Sequence, residues 1–281
     1  MNVSKWFTDN DTYFIEIVSD KIIINENYEG VLILDHDLNI IKELKIISGM
    51  SIEKSFIREK EIVLSCYENQ CLIHINVETY EYKVHPLAAE FEDVVFLPLC
   101  EWKNSDLMLL SDDGKVMMHI DLSNQTVKNV SREDQNGFPS FLWDAWDKIS
   151  DKIIYKVYPN EGNAVVERNG QLILFDYQDD EETLLNIDPA DFHDKELPSS
   201  HICHDIEVKD EIIAEVSERK VTVSYKGNKR ILYPESKEYV FLRGKVLAIA
   251  GYVHLYLLQG SNSDPQKSKI ERYDIRLLFH E

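Results

Sequence analysis

The sequence predicts an all-β chain folded as a single six-bladed β-propeller, with seven blades as the alternative. Three observations lead there. The chain is full of short apolar runs of strand length bounded by turn residues, and nothing in it reads as a long amphipathic helix. One local pattern recurs six times, with successive spacings of 41, 45, 55, 48 and 50 residues. A period of this size in a strand-rich chain is the signature of propeller blades, each a four-stranded antiparallel sheet.

The recurring pattern is an apolar strand ending in Asp, Asn or Ser, a short polar turn, then a weaker alternating strand. It ends its first strand at Asp35, Asn76, Asp121, Asp176, Ser224 and Asp274. Two further strands precede each marker. In the first unit the four strands fall at residues 12–18, 21–26, 30–35 and 40–46, and in the third at 94–100, 106–110, 115–121 and 126–130. The turns carry matching chemistry: Asp112-Asp113-Gly114 and Asn169-Gly170 are hairpin signals, because both central residues of the tightest hairpin turns need positive φ.

The sixth unit is short of one strand. After Asp274 only seven residues remain, Ile275 to Glu281, too few for a turn and an outer strand. Residues 2–8 precede the first unit without a partner there, and they alternate as outer strands do. The expectation is that this N-terminal strand pairs into the last blade and closes the fold, leaving 1–281 as a single β-propeller domain.

On this pattern the chain resembles β-propeller repeat proteins at the level of the WD40 and TolB-like superfamilies, although the Trp-Asp and Gly-His signatures of WD40 repeats are absent. The segment 145–155, with Ser150, Asp151 and Lys152 at its turn, looks like the inner-strand turn of TolB-type propellers. The resemblance implies a fold and carries no activity.

Composition narrows function. Lys plus Arg total 30 against 51 Asp plus Glu, a formal net charge of −21. That field repels nucleic acid and anionic membrane surfaces, so neither is expected as a partner. The hydrophobic fraction of 44% is ample for a packed core. The N-terminus lacks a basic region followed by an apolar run, and no apolar run approaches the roughly 18 residues of a membrane span, so the expected compartment is the cytoplasm. Cys66 and Cys71, with four residues between them, read as buried packing thiols, with a disulfide or metal role as the minor alternative.

Antiparallel alternation puts the outer-to-inner connections and the turns between second and third strands on one face. Segments 131–140, 158–168, 188–200 and 260–269 read as the longer loops of that face, where binding residues tend to gather. The first nominated cluster is Asp134, Phe138, Phe141, Trp143 and Asp144, aromatic anchors among acids, suited to a basic protein partner. Packing between blades is the other reading for Trp143 and for nearby Trp146. The second cluster is Asp191, His193, Asp194 and Glu196. With His201, Cys203, His204 and Asp205 it holds metal-binding residue types. His201 and His204, three apart on a strand, point to opposite faces, so solvated loop residues are the preferred reading. No metal site or cofactor is expected. Asp179 to Glu182 reads as a solvated charge run.

No catalytic motif appears, whether a nucleophile elbow, a phosphate loop or a His-Glu-x-x-His zinc site, so no catalytic residue is nominated. The reading adopted is a non-enzymatic acidic propeller that binds a basic protein through its loop face, as an immunity protein neutralising a basic toxin would. Two alternatives stand beside it. One is a metal-dependent hydrolase or lyase with a central-channel site, for which Glu16, Glu61, Asp144 and Asp205 are acids near inner-strand positions. The other is a scaffold or sensor propeller for a peptide or small ligand.

Overall fold

The computed structural model describes residues 3–66, 68–87, 96–102, 106–111, 117–121, 126–130, 148–149, 152–158, 162–185, 187–190 and 203–280. Its strands are β1 (Val3–Phe7), β2 (Ile15–Val18), β3 (Lys21–Glu26), β4 (Gly30–Leu34), β5 (Ile40–Lys45), β6 (Lys54–Arg58), β7 (Glu61–Cys66), β8 (Cys71–Asn76) and β9 (Tyr82–Pro86). They continue as β10 (Phe96–Trp102), β11 (Asp106–Ser111), β12 (Met117–Asp121), β13 (Thr126–Val130), β14 (Ile153–Tyr158), β15 (Asn163–Arg168), β16 (Gln171–Asp176) and β17 (Glu181–Leu184). The last are β18 (Cys203–Lys209), β19 (Ile212–Ser217), β20 (Lys220–Tyr225), β21 (Asn228–Leu232), β22 (Tyr239–Ile249), β23 (Tyr252–Ser261) and β24 (Ser268–Asp274), followed by a one-turn helix, α1 (Ile275–Leu278). Among the described residues no helix is long and apolar enough to cross a membrane.

Five blades are made of four successive strands each: β2–β5, β6–β9, β10–β13, β14–β17 and β18–β21. The remaining four-stranded sheet is composite, in the order β1-β24-β23-β22. This corrects the expected fold class of a closed ring of six or seven blades. Among the described residues five blades of successive strands are formed, and no sheet closes on itself. The physical reason lies at Asp274. Its carboxylate accepts the Leu277 backbone N–H at 3.1 Å and caps α1, so residues 275–278 form a helical turn and the last unit supplies three strands of its own. The vacant edge of β24 is taken by β1, antiparallel, with Val3 opposite Arg272 and Phe7 opposite Ser268.

The described chain falls into two compact units. The first comprises Met1–Asn69, Ile75–Lys83 and Ala190–Glu281. Its composite sheet packs apolar side chains on both faces, alternating along β23. Tyr256 and Leu258 join Ile15, Ile22, Ile24, Leu34 and Leu38 of the β2–β5 blade in one core. Leu255 and Leu257 point the other way, into a core with Ala214, Val216, Val221 and Val223 of the β18–β21 blade. Phe7 of β1 and Ile270 of β24 belong to the first core, and Ile275 of α1 to the second. The second unit comprises Gln70–His74 and Val84–Pro189. Its β15 and β16 pair in continuous register from Asn163 opposite Asp176 to Arg168 opposite Gln171, with Ala164, Val165, Val166, Leu172 and Phe175 buried.

The recurrent marker residues have a local cause. Asp35 Oδ1 accepts the N–H of Asp37 at 2.9 Å and of Asn39 at 2.8 Å. Asn76 Oδ1 does the same for Glu78 and Thr79, both at 3.0 Å, and Asp176 Oδ1 for Gln178 at 2.8 Å and Asp179 at 3.0 Å. A short side-chain acceptor at the end of the third strand folds the turn into the fourth. The hairpin read at Asn169-Gly170 is also present, with φ of 53° and 74°. Cys66 and Cys71 are buried thiols.

Candidate functional site

The connections at one end of the first unit enclose an open cleft of roughly 570 Å³. Its lining comes from the β1–β2 connection (Asp11), the β3–β4 turn (Glu26, Asn27, Tyr28, Glu29), the end of β5 and the connection to β6 (Lys45, Ser48, Gly49), and the β23–β24 connection (Pro265, Gln266). All four connections lie on the loop face expected from strand alternation.

Three asparagines hold these loops together, Asn27 within the lining and Asn10 and Asn25 buried beneath it. Asn25 is fully buried; its Oδ1 accepts the N–H of Tyr13 and of Phe14, both at 3.0 Å, and its amide donates to the carbonyls of Asp11 at 2.6 Å and Asn27 at 2.9 Å. Asn10, also buried, donates to the Asn25 carbonyl at 2.9 Å and the Thr12 hydroxyl at 2.8 Å, and accepts from the Asn27 N–H. Asn27 sits at φ 47°, a conformation asparagine tolerates, and its side chain accepts from the Asp11 N–H at 3.1 Å and donates to the Asp9 carbonyl at 3.1 Å. Satisfied amides of this kind fix a loop that would otherwise be free to move.

Acids and an exposed aromatic line the cleft. Tyr28 stacks on Tyr13 with ring centroids 5.6 Å apart, and its hydroxyl donates to Asp11 Oδ2 at 2.9 Å. The bond to Asp11 raises the Tyr28 hydroxyl above its ordinary pKa, with burial adding to the effect. Burial pushes the Tyr13 hydroxyl up to about 12; it bridges two backbones, accepting from the Ile52 N–H at 3.1 Å and donating to the Met50 carbonyl at 3.3 Å. Lys45 is the cation of the lining, 3.1 Å from Glu29, and that hydrogen-bonded pairing raises its pKa. Asp11, Glu26 and Glu29 outnumber it, so the cleft has an acidic field.

A second ionic assembly lies on the innermost strands of the same unit. Lys245 on β22 places its ammonium 3.0 Å from Glu16 on β2 and 3.4 Å from Glu207 on β18, and Ser55 on β6 donates to Glu16 at 2.8 Å. All three charged side chains are buried. Bulges between Phe241 and Arg243 in β22 and between Cys203 and Asp205 in β18 precede Lys245 and Glu207 in their strands. Glu16, considered from sequence as a metal ligand, is thus engaged by an ammonium. Asp205 is buried on β18, whereas Glu61 lies on β7, a second strand, which corrects its expected inner position. Among the described residues no group of three or more His, Cys, Asp or Glu is arranged to hold a metal ion.

The nominated partner-binding residues Asp134, Phe138, Phe141, Trp143, Asp144, Asp191, His193, Asp194 and Glu196 all lie outside the described residues, as do Trp146 and His201. Of the proposed loops, the one at 158–168 is shorter than read, because Asn163–Arg168 is strand β15. The loop at 260–269 narrows to residues 262–267 and supplies Pro265 and Gln266 to the cleft. The acids of the cleft itself carry no distinctive sequence pattern; Asn10 and the pair Asn25 and Asn27, which hold its loops, lie too far apart in sequence to read as one motif.

No protein-family model matches the chain, and no curated protein does. Solved structures do. A catalytically inactive virginiamycin B lyase from Staphylococcus aureus, crystallised with quinupristin, matches with a TM-score of 0.59 at 12% identity, over 97% of this chain and 100% of that one. The Cps50 (Swd1) β-propeller domain of Myceliophteria thermophila matches with a TM-score of 0.56 at 10% identity, over 97% and 99%. The RRP9 WD40 repeats match with a TM-score of 0.55 at 6% identity, over 96% and 97%. The fold is a β-propeller. Identities this low establish the propeller architecture and nothing about what this propeller binds.

Proposed function

We propose that the chain is a non-enzymatic, protein-binding β-propeller that captures a basic protein on its acidic loop face, in the manner of a neutralising partner for a basic toxin. The observation that carries this reading is the cleft. Three carboxylates and an exposed tyrosine line a cleft whose loops are held by the hydrogen-bonded side chains of Asn10, Asn25 and Asn27, so little ordering is left to be done on binding. A rigid aromatic beside carboxylates suits lysine and arginine side chains, which pair with the acids and lie against the ring. The net charge of −21 adds long-range attraction, which speeds encounter with a basic partner and rejects acidic ones.

The test is affinity capture from the native host, followed by binding kinetics with the captured protein. The association rate should fall by at least about tenfold between low and physiological salt. The double reversal Asp11→Lys, Glu29→Lys should slow association to a similar degree. Glu78→Lys, in the β8–β9 turn at the other end of its blade, should change it little. Asp134→Lys places the sequence-nominated loop in the same assay. An apolar peptide captured with affinity indifferent to salt and to the cleft reversals would overturn the proposal in favour of a scaffold role.

A further inference from the structure

We infer that His254 is the sensor of a pH-sensitive latch that holds the β4–β5 turn against the composite sheet. The turn is docked by side chains reaching across from β23 and β24. Tyr256 donates its hydroxyl to the His36 carbonyl at 2.9 Å, and Arg272 donates to the same carbonyl at 2.7 Å and to Asp37 Oδ1 at 2.6 Å. His254 sits directly behind these contacts, only 5% exposed, with its ring 5.7 Å from Tyr252 and edge-on to Tyr256 at 6.2 Å. His36 of the turn lies against the same Tyr252 at 5.7 Å.

The buried imidazole is poorly provided for. Among the described residues its Nδ1 has no hydrogen-bond partner, and its Nε2 is 4.0 Å from Asp274, beyond hydrogen-bond reach. A neutral ring tolerates this and a cation does not. The charged and titratable groups facing it are Arg272 and Asp274 from β24, His36 and Asp37 from the turn, and Tyr252 and Tyr256 on its own strand. From β22 its register partner is apolar Leu247. Burial, and then the Arg272 charge, depress its pKa below the ordinary histidine value. The neutral form is therefore the one the latched state prefers. As pH falls through the ordinary histidine range, the open state takes up a proton that the closed state resists, and the equilibrium moves toward the open turn. Opening admits water to Nδ1 and separates the new cation from Arg272. The site belongs to the turns at the opposite end of the sheets from the acidic cleft, so it stands independently of the partner-binding reading.

Hydrogen exchange of the intact protein, corrected for the intrinsic pH dependence of exchange, tests the latch. Protection of residues 35–39 should drop at least tenfold between pH 7.5 and pH 5.5, while β7 stays protected. In His254→Asn the drop should vanish, and in His36→Asn, a half-buried position of the turn itself, it should persist. NMR titration of the unmodified protein gives a second readout that needs no variant: the His254 ring and the turn amides should shift with one midpoint. Equal pH dependence in His254→Asn, or a turn that moves with a midpoint different from that of His254, would overturn the inference.

Discussion

Lys245 Nζ lies 3.0 Å from Glu16 Oε2, tying β22 to β2 across 229 positions of sequence. With Glu207 at 3.4 Å on β18, one buried ammonium serves two buried carboxylates. Removing the cation leaves two buried negative charges without the ammonium that neutralises them, whereas removing all three charges together does not. Lys245→Met should therefore lower unfolding free energy by about 3–5 kcal/mol, while the triple variant Glu16→Leu, Lys245→Met, Glu207→Leu should recover most of that loss. Urea unfolding of the two variants is the check; a triple variant as unstable as the single one would place the role of these charges elsewhere.

Gly30 begins β4 where the neighbouring strand comes closest. A Cβ there would lie 1.9 Å from the Leu44 carbonyl oxygen, a backbone atom that cannot swing aside. Gly30→Ala should cost at least the roughly 1–3 kcal/mol typical of overpacking, with the damage centred on the β4–β5 pairing. Gly49→Ala is the contrasting variant. It has open space around the new methyl but a φ of 75°, so its cost is backbone strain alone, about 1 kcal/mol. Thermal unfolding midpoints should rank native above Gly49→Ala above Gly30→Ala.

Asp35 ties acid stability to a single turn. Partial burial works to raise its pKa, but bonds from the Asn39 side chain and from the Asn39 and Asp37 N–H groups outweigh that and hold it below the ordinary carboxylate value. The sign follows from linkage. Stability from this group is fully present above the ordinary carboxylate pKa and is lost as pH falls through the lowered folded-state value. Asp35→Ala should destabilise the protein at pH 7 and flatten the acid limb of its stability curve, with variant and native converging at low pH. Stability measured by urea at several pH values between 2 and 7 decides this; a constant difference across the range would contradict it.

The difference between these sites explains what could be read from sequence. Asp35, Asn76 and Asp176 recur because each turn makes the same local demand on a side chain two to four residues away, and local demands leave a period. Residues 2–8 could be assigned to the last sheet for a related reason, since an unpartnered strand and an incomplete unit must be reconciled. The capping of α1 by Asp274 went unread because the same residue type that opens a β-turn also starts a helix. The Lys245 assembly left no trace at all: among 51 acids and 30 bases, which ones meet is set by register and by bulges in β18 and β22. The cleft was half legible. Strand alternation identified its face, but the asparagine bonding that holds its loops depends on pairs 15 to 17 residues apart, such as Asn10 with Asn25 and Asn27.

The N-terminal strand offers the last prediction. β1 covers the edge of β24, contributes Phe7 to the core shared with the β2–β5 blade, and sets Trp6 under the Lys269 ammonium at 4.8 Å. Without it, β24 presents an unpaired row of backbone groups beside a core opened at Phe7. A chain starting at residue 9 should unfold at a lower temperature and self-associate as concentration rises, because another chain's strand can take the open edge. Phe7→Ala keeps the edge covered and removes only packing, so it should lose roughly 3–5 kcal/mol without associating. A peptide of residues 2–8 added in trans should restore monomer behaviour to the shortened chain. Light scattering across a concentration series separates the two effects; a shortened chain that stays monomeric and as stable as the full one would show that the β1–β24 pairing contributes nothing.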